Sequence, residues 1–184
     1  MRTRPLFGIT VTVFLLTLMR ISAFGQETST ATNPEGFSTI IIGMSLDEAK
    51  QALKTSPLFK YRGDPDVSLL PRPNEVLIET EGFTYIDRAY FQFYDGGLYT
   101  IILLLNREEL DHFTLYTTLV DKYGEPSYLD PSEVVWEFER LRLAIERPLT
   151  VKYVDTVAFD EILRENAKAE SLNRLNRENF LGEF

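Results

Sequence analysis

No cysteine occurs in the 184 residues, and histidine and tryptophan occur once each, as His112 and Trp136. Without cysteine there can be no disulfide, thiol nucleophile or thiolate metal site, and no lipid attached through a cysteine. A single imidazole does not make a metal site. No serine near His112 stands in a recognised nucleophile motif, so it reads as an ordinary helix residue between Asp111 and Phe113. A Gly-rich phosphate loop is also missing, because Gly96 and Gly97 lie between two strand patterns rather than ahead of a helix. Asp64 and Asp66 flank Pro65 without the ligand spacing of a calcium loop and read as turn residues. These absences nominate no catalytic residue, metal ligand or cofactor, and the chain is expected not to be an enzyme.

Positive charge is scarce as well, with 19 Lys and Arg against 28 Asp and Glu and a net charge of −9. Such a surface repels phosphate backbones and anionic headgroups, so nucleic acid is not an expected partner. Attachment to an anionic leaflet through charge alone is excluded on the same ground. The one long apolar run, residues 6–19, follows Arg2 and Arg4 and is closed by Arg20. It is too short for a bilayer span, which needs about 20 apolar residues. With small residues at Ala23 and Gly25, residues 1–25 read as a secretory signal, and membrane attachment is expected only if that segment stays uncleaved. Cleavage after Gly25 removes three arginines and no acid, which takes the formal charge from −9 to −12. The mature protein is therefore expected in the periplasm or outside the cell. Lacking disulfides, it must draw its stability from burial, and 44% hydrophobic and 12% aromatic residues supply the material.

Residues 26–36 are polar and aperiodic and read as a flexible tether. An α+β domain is expected over 37–157, with 38–42 as a short apolar lead-in. Ser45 followed by Glu48 forms a capping box, and Leu46, Ala49 and Leu53 share a helix face until Pro57 ends the pattern. A second helix is expected to start at Asn106 with Glu109 as its reciprocal partner, to bury Leu110, Phe113 and Val120, and to stop at Gly124. These two segments match at an offset of 61, pairing Ser45 with Asn106, Gly63 with Gly124 and Pro65 with Pro126. Either a unit has been duplicated (43–105 and 106–157) or two capped helices each end in Gly-acid-Pro by coincidence.

Strands are expected around 76–79, 89–94, 98–105, 134–138, 141–146 and 151–154. Asp95-Gly96-Gly97 is a hairpin turn. Short connections favour an antiparallel sheet with the helices packed on one face. Residues 158–179 read as one long, polar C-terminal helix. Within the hairpin, Tyr90, Gln92 and Tyr94 share a face, with Ala89, Phe91 and Phe93 on the other. The return strand 101–105 is apolar on both faces, so something must cover the outer one: the C-terminal helix, a partner or a lipid-like ligand. Tyr90, Gln92 and Tyr94 are the candidate binding residues, because tyrosine joins a large contact area to a polar tip.

Gly43-Met44-Ser45 at the start of a capped helix resembles the helix start of the SmpA/OmlA family of small bacterial envelope proteins. Gly124-Glu125-Pro126 and Trp136-Glu137-Phe138 are similar to that family's Gly-x-Pro and Trp-x-aromatic stretches. The resemblance implies two helices on a small antiparallel sheet and a periplasm-facing accessory role in outer-membrane protein assembly. The β-lactamase-inhibitor-protein fold carries a similar unit in tandem, which suits the offset of 61. The chain departs from the family in having no lipidated cysteine. The expected function is thus a non-catalytic protein-binding module for envelope assembly or maintenance, with an envelope protein as partner. The alternatives are a carrier or sensor of an apolar ligand, with 101–105 as a pocket wall, and a proteinaceous enzyme inhibitor.

Overall fold

A computed structural model describes residues 33–70 and 74–183. The signal-peptide reading of residues 1–25 and most of the 26–36 tether lie outside the described residues. The tether gives way to structure a little earlier than Phe37: Pro34 is buried, and Glu35 O accepts from Ile42 N across the small hairpin of β1 (Gly36–Phe37) and β2 (Ile40–Ile41).

Helix α1 (Leu46–Thr55) begins at the expected cap. Ser45 Oγ accepts from Glu48 N at 3.3 Å, and the Glu48 carboxylate accepts from Ser45 N at 2.9 Å. Ala49 and Leu53, four residues apart, are buried, and the helix stops two residues before Pro57. Helix α2 (His112–Tyr123) starts five residues later than the sequence pattern implied. Its cap is Asp111, whose carboxylate accepts from Thr114 N at 2.9 Å. Asn106 instead accepts from Glu108 N and donates to Thr84 O, so its side chain organises a turn. Leu119 and Tyr123 form the buried face of α2, whereas Phe113 is largely exposed.

The strands form one eight-stranded antiparallel sheet. In chain order they are β3 (Val67–Leu69), β4 (Glu75–Glu81), β5 (Ile86–Tyr94), β6 (Gly97–Leu105), β7 (Tyr128–Leu129), β8 (Glu133–Glu137), β9 (Leu141–Glu146) and β10 (Thr150–Asp155). Their order across the sheet is β3-β4-β5-β6-β10-β9-β8-β7. Each half is a helix followed by a four-strand meander, and the halves meet at β6 and β10, with Leu103 opposite Val151 and Ile101 opposite Tyr153. The two short outermost strands were not anticipated, and β4 is longer than its sequence signal. Asp95 and Gly96 close the β5–β6 hairpin with φ of 47° and 82°, a turn that requires left-handed residues at both positions.

One sheet face carries Ile78, Phe91, Ile101, Leu103, Val151, Ile145 and Trp136 into the hydrophobic core shared with Ala49 and Leu53 of α1 and with Leu119 and Tyr123 of α2. We call this the inner face. The outer face carries Tyr90, Gln92, Ile102, Leu104 and Lys152. Helix α3 (Thr156–Leu181) leaves β10 at Asp155, whose carboxylate accepts from Val157 N and Ala158 N and pairs with Arg140 at 3.0 Å. Its buried residue, Ile162, lies outside the inner core, and Glu165 meets Tyr94, so the first turns of α3 lie against the outer face. Residues 167–183 are exposed throughout. Strand β8 is buried on both faces at its middle, where Val135 is 2% exposed opposite the fully buried Ala144. The fold is thus α+β with a large antiparallel sheet, three helices and a long C-terminal one.

Candidate functional site

Two hollows flank the centre of the sheet, one on each face. On the outer face the pleat of β5 sets Tyr90, Gln92 and Tyr94 in a row, all half-buried, while Ala89, Phe91 and Phe93 are fully buried behind them. Tyr90 lies directly opposite Ile102 on β6 and Glu79 on β4, with Leu77 and Leu104 on the diagonals. Ion pairs share this face: Arg88–Glu79 at 2.6 Å beside Tyr90, then Lys152–Glu146 at 2.5 Å and Arg142–Glu133 at 2.8 Å further along the sheet toward β8.

The three candidate residues share the face but have different neighbours. Tyr94 Oη donates to Glu165 Oε2 of α3 at 2.5 Å. That bond, together with the surrounding carboxylates, pushes its pKa up to about 12. The raised value favours the neutral phenol, so the tie to α3 is intact below pH 10 and is lost as pH climbs toward 12. Gln92 lines a hollow of about 470 Å3 that also includes Ile102, Val154, Lys152 and, from α3, Phe159 and Asp160. Tyr90 lies two residues further along β5, beyond the lining of that hollow. Own-chain cover therefore reaches the Tyr94 end of the row.

On the inner face an apolar cavity of about 440 Å3 opens between α2 and the sheet. Its walls come from Leu103 and Leu105 of β6, Val151 and Tyr153 of β10, and Leu115, Leu119 and Tyr123 of α2, with Phe37, Phe83 and Tyr85 at the loop side. Among the described residues Lys122 is the only charged one that lines it. Burial pushes the Tyr153 phenol up, with a smaller push from Tyr123, so it stays protonated. The 101–105 strand thus walls both hollows, Leu103 and Leu105 the inner one and Ile102 the outer. Tyr123, Tyr153 and Lys122 were not nominated from the sequence. A signal was there, since Leu115, Leu119 and Lys122 follow one helical stripe that puts a cation at the end of an apolar face.

His112 opens the first turn of α2, half-buried. Asp66 is buried and holds Arg62 through Nη2 at 2.6 Å and through the backbone amide at 2.9 Å, which fixes the Asp64–Asp66 turn. Among the described residues no three His, Cys, Asp or Glu side chains are grouped to hold a metal ion. None of their helices is long and apolar enough to cross a membrane.

A helix-and-meander α+β protein with hollows on both sheet faces is the class that this geometry defines. The chain belongs to the TP0088 domain family, whose model matches residues 35–165. That span takes in both meanders and the part of α3 that touches the sheet. Comparison with curated proteins and with solved structures returns no match.

Proposed function

We propose that the chain is an exported, non-catalytic binding module that captures a protein partner in the cell envelope through its outer sheet face. The observation that carries this reading is the Tyr90 patch. Tyr90, Ile102, Leu77 and Leu104 form a half-buried aromatic and aliphatic cluster that shares its face with charges already paired with one another. An apolar centre with polar groups beyond it is the anatomy of a protein interface. The partner it suits presents apolar side chains, because these pairs leave little net charge to satisfy.

The resemblance to SmpA/OmlA points the same way, toward an accessory role in outer-membrane protein assembly. We also read the two halves as copies of one helix-and-meander unit, each packing its helix on the inner face. Gly63 and Gly124 both take positive φ (93° and 84°), each is followed by an acid and proline, and Val67 and Tyr128 then start the first strands at the same spacing. The test is in-cell crosslinking of the tagged, full-length protein. Recovery of outer-membrane barrel or assembly components from the wild type, with several-fold loss in Tyr90→Ala at unchanged thermal stability, is the expected result. Equal recovery from the variant would remove the assignment. Carriage of an apolar ligand is a second reading, favoured by the inner cavity.

A further inference from the structure

We propose that the inner cavity binds one free fatty acid, its acyl chain among Leu103, Leu105, Leu115 and Leu119 and its carboxylate at Lys122 and Tyr153. This rests on the ligand-carriage reading and is independent of partner capture, which uses the opposite face. The hollow of about 440 Å3 between α2 and the sheet is open to solvent and walled mainly by apolar side chains. It falls within the size range of small-molecule sites and shares their make-up, apolar walls with a few converging polar groups.

Charge selects the head group. The chain carries −9 overall, yet among the described residues no carboxylate lines this cavity, and its one charged residue is a lysine. Lys122 forms no ion pair with any described residue, and its ammonium is held 5.0 Å from the centre of the Tyr123 ring. Tyr153 is 4% exposed and lines the same hollow. Its phenolic O–H is a donor that a ligand acceptor in the hollow can use. A carboxylate takes both a cation and a phenolic donor, and its hydrocarbon chain fills the apolar walls. A neutral hydrocarbon would leave both groups unused. A two-chain phospholipid brings more hydrocarbon than a cavity of this volume suits.

The experiment is calorimetric titration of the full chain with dodecanoate, tetradecanoate and hexadecanoate, alongside dodecanol. Saturable one-to-one binding is expected, tightening by up to about fourfold per added methylene until the cavity is full. Lys122→Met should weaken dodecanoate by about tenfold and leave dodecanol unchanged, since only the carboxylate uses the charge. Lys122 is exposed, so the variant should fold; Leu105→Trp, which fills the cavity, should abolish binding of both. Absence of saturable binding overturns the proposal, as does an equal loss of acid and alcohol in Lys122→Met. Binding of phosphatidylglycerol vesicles without binding of the free acids also overturns it. Tyr90→Ala is expected to bind dodecanoate normally, so failure here leaves the partner-capture reading standing.

Discussion

Trp136 Nε1 donates to Gly124 O at 2.8 Å, so the sole tryptophan ties the end of α2 to the middle of β8. Gly124 has φ of 84°, and the bond satisfies a carbonyl at a helix terminus that would otherwise lack a partner. Asp130 does similar work at the next turn. Its carboxylate accepts from Ser132 Oγ and Ser132 N at 2.6 Å, Tyr128 Oη at 2.7 Å and Glu133 N at 2.9 Å. These donors, Ser132 first, hold its pKa well below the usual carboxylate range. Because the folded value is depressed, the stabilisation is full above the unfolded value of about 3.9 and fades as pH falls through the folded one. Asp130→Asn should therefore flatten the acid limb of the stability profile below about pH 4. An acid limb as steep as the wild type's in urea titrations would contradict this.

At the scale of elements, the strongest local signals gave the right structures. The Ser45–Glu48 capping box, the Asp95-Gly96 turn and the alternation of Tyr90, Gln92 and Tyr94 with Ala89, Phe91 and Phe93 in β5 appear where the sequence put them. They are local, each set by residues a few positions apart. The start of α2 was misplaced because Asn106 and Glu109 mimic a capping box, while tertiary contact pulls Asn106 toward Thr84 and leaves Asp111 as the cap. Asp111→Ala should destabilise the start of α2 and speed amide exchange at Thr114, whereas Asn106→Ala should leave Thr114 protected. The two edge strands were missed because each is only two or three residues long, too short for a period to show. Both hollows lay beyond sequence reach, since they depend on which strand lies beside which helix.

Helix α3 divides into a docked part and a projecting part. Ile162 and Glu165 touch the sheet, and Ala169 lines a hollow with Asn74 and Tyr94; residues 167–183 are themselves exposed. A chain ending after residue 169 should match the full chain within about 0.5 kcal/mol in urea unfolding. Ending it after residue 157 removes the burial of Ile162 and the tie to Tyr94, and should cost at least about 2 kcal/mol. Similar stability of the two truncations would mean that α3 is not docked on the outer face.

Across the whole molecule, the mirrored strand order places the β6–β10 pair at the centre, with one hollow on each side of it. α1 and α2 share the inner core, while the first turns of α3 cover only one end of the outer face. Tyr90 is the member of the candidate row that α3 does not reach. The Tyr90, Gln92 and Tyr94 row was legible in the sequence through its period of two. The tie of Tyr94 to Glu165 was not, because 71 positions of chain separate them. The most direct test is a photo-crosslinking residue placed at position 90 in the full-length protein, irradiated in its own cells and compared with the same residue at Glu125, an exposed site away from the patch. Partner capture predicts a discrete adduct with an outer-membrane barrel or assembly component from position 90 and none from position 125. No adduct at position 90, or the same products from both positions, would contradict it.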